Sequence, residues 1–143
     1  MNKTDLVREW FEYASTDLNT AAHLFETMRP RPLEIICYHC QQAVEKALKG
    51  FLLDHETEPP RTHDLEQLRL LCANHDPLLF ETIQEACQKL TDYAVSARYP
   101  SQVEIEETNA IFALAEAGRL YTICVDMVPE LRPSGQGPTL SQK

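Results

Sequence analysis

Glycine is scarce: the chain of 143 residues has 4, and Gly135 and Gly137 lie close to its C-terminus, leaving Gly50 and Gly118 for the rest. That disfavours tight hairpins and glycine-rich phosphate loops, which need backbone conformations that glycine reaches at least cost. Positive charge is also short, with 13 Lys and Arg against 22 Asp and Glu and a formal net charge of −9. Such a balance opposes unguided attraction to a polyanion, so any nucleic-acid contact requires a local basic pocket. No apolar run approaches the roughly 20 residues that span a bilayer, and Met-Asn-Lys-Thr-Asp-Leu lacks the apolar stretch of a secretory signal. A cytoplasmic protein without a membrane role is the expectation. The cysteines number 5, an odd count that suits reduced thiols filling a core. Cys37 and Cys40 form a C-x-x-C, but zinc would want a second pair nearby and Cys72, Cys87 and Cys124 stand alone. Neither metal nor cofactor is expected.

What remains is ordinary globular material, 43% apolar and 24% charged, at a length suited to one domain. From about Asp5 to Met28, the residues Leu6, Trp10, Ala14, Leu18, Ala21, Phe25 and Met28 recur at helical spacing, and Arg29-Pro30-Arg31-Pro32 stops the helix. A second helix runs from about Leu33 to Leu53 on a broad apolar stripe, with Gly50 a weak point. Asp54 to His63 is polar and stiffened by Pro59-Pro60, the longest internal connector. A short helix from His63 or Asp64 gathers Leu65, Leu68 and Cys72. Asp76 then reads as an N-cap with Pro77 in first position, opening a helix to about Ala94. Ser101-Gln102-Val103-Glu104 has the form of a capping box, predicting a last helix from Ser101 whose inner face is Ala110, Leu114, Ala117, Tyr121, Cys124 and Val128. No segment alternates as a strand does. The pattern specifies an all-α fold: an up-and-down bundle of four longer helices and one short one, dimerising through its wide apolar faces. It spans residues 1–128, followed by a breaker-rich tail, 129–143, expected to be disordered.

Several residues break this pattern. Asp17 falls within the apolar face of the first helix and needs a cation, donors or a helix terminus to satisfy it. It is either an internal ion pair that sets helix packing or a carboxylate that orients an active-site base. Gln42, Glu45, Lys46 and Lys49 lie opposite the apolar stripe of the second helix, with His39 at the border. This reads as a solvated face carrying a Glu45–Lys49 pair, with a partner surface as the alternative. His63 stands where the connector enters the short helix and is expected to satisfy local backbone groups. Arg98-Tyr99-Pro100 is displayed between two long helices. A guanidinium beside a ring suits phosphate binding or base stacking, although such residues also make loop contacts and interface anchors.

Four ordered blocks then carry a resemblance: Trp10-x-x-x-Ala14-x-x-Asp17-Leu18-x-x-Ala21, His39-x-Gln41-Gln42-Ala43-x-Glu45-Lys46-x-Leu48-Lys49, Pro60-x-Thr62-His63-Asp64-Leu65 and Arg98-Tyr99-Pro100. Together they resemble the HEPN family of small helical domains, over about Asp5 to Val128. The resemblance implies a homodimer with a cleft lined near Arg98. It also implies common pairing with a minimal nucleotidyltransferase as a toxin–antitoxin system and, in active members, a metal-independent RNase built on an Arg followed, after four to six residues, by a His. In that chemistry the His moves a proton at the ribose 2′-hydroxyl while the Arg stabilises developing phosphate charge. Here the corresponding positions hold Val103, Glu104 and Ile105, and no histidine follows His75. The expectation is therefore a non-enzymatic or catalytically degenerate dimer. It would bind a nucleotide, RNA or nucleotidyltransferase partner through Arg98, Tyr99, Lys46, Lys49 and Asp17. The alternatives are a ribonuclease in which His39 or His63 substitutes for the missing base, and plain helical oligomerisation.

Overall fold

The computed structural model describes residues 2–98 and 104–131, apart from the side chains at position 80 and positions 94–98. Those residues form six α-helices and a closing 3-10 turn: α1 (Lys3–Thr27), α2 (Leu33–Asp54), α3 (Leu65–Ala73), α4 (Pro77–Thr82), α5 (Gln84–Arg98), α6 (Glu107–Asp126) and the turn Pro129–Leu131. No strand occurs among them. The four longer helices alternate in direction. Lys3 meets Asp54 and Asp17 meets Lys46, so α1 and α2 run antiparallel. Arg119 of α6 reaches the carbonyl of Thr82, and Lys89 of α5 lies over the ring of Phe112, so α5 and α6 are antiparallel too. The up-and-down bundle is as expected.

Helix α2 is its axis. It packs against α1, α3, α5 and α6, and 14 of its 22 residues are buried, a distribution that leaves it no continuous solvated face. The five-residue link Met28-Arg29-Pro30-Arg31-Pro32 is clamped by Arg31. This side chain stacks on Phe25, donates to the Phe25 carbonyl and pairs with Glu107 at the start of α6. All five cysteines are buried and free. Burial pushes the thiols of Cys37 and Cys87 up to about 12 and that of Cys124 well upward, which keeps them protonated and unreactive.

Three boundaries differ from the sequence reading. The helix expected from Pro77 to Ala94 is broken at Ile83, whose backbone (φ −115, ψ 10) leaves the helical region. Asp76 caps its first part as expected, accepting from Leu78 and Leu79. The break lets α4 lie on α3 while α5 follows α2, and it drives the fully buried Ile83 inward. The bundle thus has two short helices where one was expected. At the other long junction, Glu104, Ile105 and Glu106 are not helical, so the box expected at Ser101 does not open α6. The helix instead starts at Glu107, and the Asn109 side chain accepts from the Glu106 amide. This extended stretch buries Ile105, which a helix begun at Ser101 would carry elsewhere. The inner face of α6 is also rotated: Ala113 and Leu120 are buried, whereas Leu114 and Tyr121 are only partly so. Past Val128 the chain continues into the 3-10 turn, where Leu131 packs on the core. Most of the segment read as a tail lies outside the described residues.

The two glycines within the bundle have opposite surroundings. A Cβ on Gly50 would stand 2.6 Å from Cε2 of Phe11, a ring that is itself buried, whereas nothing lies within 4 Å of the same position on Gly118. Gly50 is therefore the close-approach point of α1 and α2. Gly118→Ala should stabilise the protein by about 0.5–1 kcal/mol through helix propensity. Gly50→Ala should destabilise it by about 1–3 kcal/mol because overpacking outweighs that gain. Urea melts of both variants check this, and equal stabilisation by the two would refute the close approach.

A second prediction concerns the last residue of α2. The Asp54 carboxyl is pushed up by burial and by Glu130, with which it shares a hydrogen bond, against weaker opposing effects of His55 and Lys3. A carboxylate at a helix C-terminus also faces unpartnered carbonyls. The folded chain holds this proton more tightly than the unfolded chain, so the contribution to stability is present in acid and is lost as pH rises through the folded-state value. Asp54→Asn should stabilise the fold by about 0.5–1 kcal/mol at pH 8, with the gain vanishing near pH 3.8, the ordinary value for the group. Melts across that range read it directly.

Candidate functional site

The polar residues of α2 are where the structure departs furthest from the sequence reading. In the stripe read as solvated, Gln42, Glu45 and Lys49 are 8, 4 and 7% exposed and Lys46 is partly open, with Gln41 fully buried beside them, so most of that face is closed to solvent. The connector after α2 covers it. Its proline pair lies beside Lys49, Trp10, Leu6 and Leu53 around a groove of about 310 Å³. Downstream, the His63 carbonyl accepts a hydrogen bond of 3.0 Å from Gln41 Nε2. The prolines hold this segment extended without requiring amide partners, which lets it lie across a helix instead of coiling into one.

Two carboxylates organise the covered face. Glu45 Oε1 accepts from His63 Nδ1 at 2.9 Å and from Gln42 Nε2 at 3.2 Å, while Oε2 takes Lys49 Nζ at 2.9 Å. Gln42 also donates to Gln41 at 2.8 Å, so Gln41 and Gln42 join Glu45 to the connector backbone. Lys49 lies 5.7 Å above the Trp10 ring. His63 therefore does not cap α3, as was expected of it. Asp64 does, accepting from the Glu66 amide, while the His63 ring turns back to a residue 18 positions earlier. A buried carboxylate outcompetes a solvent-exposed backbone amide because its bond to the imidazole is charge-assisted.

Asp17 is buried on α1, as its place on the apolar face required, and has the partners such a carboxylate needs. Lys46 Nζ is 2.6 Å from Oδ2 and His39 Nδ1 is 2.8 Å from Oδ1. An ionised carboxylate accepts only, so His39 donates from Nδ1 and its Nε2 takes no part in the pair. Tyr13 and Tyr38 flank the pair: the Tyr13 ring is 6.0 Å from Lys46 Nζ, and Tyr38 meets the His39 ring edge-on. The structure thus brings Asp17, His39 and Lys46 together and sets Lys49 with His63 in the adjoining cluster. Glu45 and Gln41, the hinge of that second cluster, were not singled out as buried groups. The signal for them was the width of the apolar arc on α2, too broad for a helix with one open side.

Of the remaining sequence candidates, Arg98 is the last residue of α5, with a side chain outside the described set, and Tyr99 lies outside the described residues altogether. Tyr93, five residues before Arg98, lies near Cys37 and Cys40, so the end of α5 belongs to the His39 end of α2. Beside it, between α5 and α6, Lys89, Asp92, Tyr93, Asn109 and Phe112 line a groove of about 460 Å³. Burial pushes the Tyr93 hydroxyl up to about 12, so it stays a neutral donor. Among the described residues no three His, Cys, Asp or Glu groups gather as a metal site, and no helix is long and apolar enough to cross a membrane.

A family model described as HEPN domain matches the chain over residues 7–128. No curated protein and no solved structure matches the chain. The family match runs from Val7 within α1 to Val128 and so includes both carboxylate clusters and the end of α5.

Asp17→Ala should destabilise the fold by about 1–3 kcal/mol, since it strands the Lys46 ammonium and removes the bond that orients His39. Denaturant melts at neutral pH measure the loss. An unchanged midpoint and slope would show that the cluster contributes nothing to packing.

Proposed function

The chain belongs to the HEPN family, and from that premise we propose that it acts as a homodimer that binds a nucleotide or RNA at the Arg98 cleft, working with a protein partner of the minimal-nucleotidyltransferase type and without cleaving RNA. The observation that carries this reading is the composition of the segment after Arg98. Where an active member needs an imidazole, this chain has Val103, Glu104 and Ile105. Glu104 is exposed and Ile105 is buried at 7%. A buried aliphatic chain moves no proton, and Glu104 brings a carboxylate in place of the imidazole that active members carry. The Arg98 guanidinium retains what binding requires, a permanent charge and a fork of donors that matches phosphate oxygens.

A second reading is favoured by the bond between Asp17 and His39. With Nδ1 held, Nε2 of His39 is the free basic nitrogen, the arrangement by which a carboxylate orients a general base. A ribonuclease in which His39 takes the 2′-hydroxyl proton and Arg98 meets the phosphate would follow if the dimer brought the two within hydrogen-bond reach.

Sedimentation over micromolar concentrations should give a dimer. Arg98→Ala should weaken binding of a nucleotide or short RNA by about 1–3 kcal/mol without dissociating it. Wild-type protein in chelator should leave RNA intact. Cleavage that disappears with both Arg98→Ala and His39→Ala, but survives His63→Ala, would replace the binding reading with the ribonuclease one. A monomer at every concentration would remove the cleft.

A further inference from the structure

The connector that covers α2 presents two opposite charges on a stiff spacer. Glu58 and Arg61 flank the proline pair, both are exposed, and neither makes a salt bridge or a side-chain hydrogen bond among the described residues. At the rise of a polyproline segment their Cα atoms stand about 9 Å apart. Both edge the groove between α1, α2 and the connector, whose volume of about 310 Å³ lies at the small end of the range for ligand clefts. Its walls are apolar and open: Leu6 is 38% exposed, and Trp10, Leu53, Pro59 and Pro60 are half-buried. Lys49 reaches the groove as well, but its ammonium is held by Glu45 at 2.9 Å and lies over the Trp10 ring. Arg61 is therefore the lining cation left for a ligand.

One free cation, one free anion and an open apolar wall together define the complementary ligand. It carries a carboxylate, an ammonium and an apolar body, and we infer that the groove binds a free α-amino acid with a large apolar side chain. The carboxylate takes the guanidinium fork of Arg61 in a bidentate pair, and the ammonium donates to the Glu58 carboxylate. The side chain lies against the Trp10 indole and the prolines, where an aromatic ring gains most from the contact. A phosphate dianion asks for more than one cation, and Lys49 is already taken. An internal peptide segment offers neither terminal charge, and a chain end offers one of the two. The site is separate from the Arg98 cleft. Lys49 lies ten residues along α2 from His39, about 15 Å at the rise of an α-helix, and the end of α5 belongs to the His39 end.

Trp10 is the single tryptophan of the chain, so its emission reports on this groove. Phenylalanine added to the full chain should change that emission saturably at millimolar concentration or below, while glycine, which lacks the apolar body, should not. Phenylalaninamide, without the carboxylate, and N-acetylphenylalanine, without the ammonium, should each bind at least tenfold more weakly than phenylalanine. Arg61→Gln should weaken phenylalanine at least tenfold yet leave phenylalaninamide within twofold. Glu58→Gln should weaken phenylalanine by as much and leave N-acetylphenylalanine within twofold. Lys89→Gln, which changes net charge as Arg61→Gln does but lies on α5, should alter phenylalanine binding less than twofold. No saturable change with phenylalanine, equal binding of its two blocked forms, or unchanged binding in Arg61→Gln or Glu58→Gln would overturn the proposal. A saturable response to adenosine monophosphate without one to phenylalanine would assign the groove to a nucleotide and overturn it as well. Because Arg98 is untouched in every variant, nucleotide or RNA binding at the Arg98 cleft stands or falls separately.

Discussion

A helix surrounded by four others must find a partner inside the protein for every polar group it carries, and this constraint on α2 shapes much of the molecule. A buried carboxylate without donors costs several kcal/mol, comparable with the net stability of a domain. Glu45 meets that demand with Lys49, Gln42 and His63, and it is the His63 bond that brings the connector down onto the helix. Asp17 meets it with Lys46 and His39, tying α1 to α2 at mid-height. At the other end of the same interface Gly50 admits the ring of Phe11. The α1–α2 pair is thus set by one carboxylate and one missing methyl group, a second carboxylate ties the connector to α2, and the remaining helices pack on the frame they make.

The same clusters bear on function because they determine which polar groups are left to act. Lys46 and Lys49, the cations that α2 contributes, are both bonded to carboxylates, so they form part of the frame as well as any binding surface. His39 combines a fixed ring with a free nitrogen, while His63 is tied to Glu45 and is half-exposed in the connector.

Much of the architecture was legible in the residues. Helical periodicity, the proline stops at Pro30 and Pro32 and the Asp76-Pro77 cap located most of the elements, because these signals act within one or two turns of chain. So did the need of Asp17 for a partner, since a carboxylate inside an apolar stripe is a local contradiction. The break at Ile83 and the start of α6 were not legible. Each depends on where a single isoleucine, Ile83 or Ile105, reaches the core, and that depth is set by helices distant in sequence. The polar stripe of α2 was misread for a related reason. A helical projection shows which residues share a face but not whether a later segment covers it.

By itself, then, the sequence determined the all-α class, the alternation of long helices, the HEPN blocks and the absence of the downstream histidine, all carried by residue type at short spacing. Tertiary structure alone decided that His39 belongs to Asp17 and His63 to Glu45, and that Lys49 is enclosed instead of solvated. It also decided that Lys89 of α5 lies over the Phe112 ring of α6. The physical reason is common to all four. Burial and charge pairing depend on distances through space, and those distances are set only when segments 18 or more residues apart pack around the same helix.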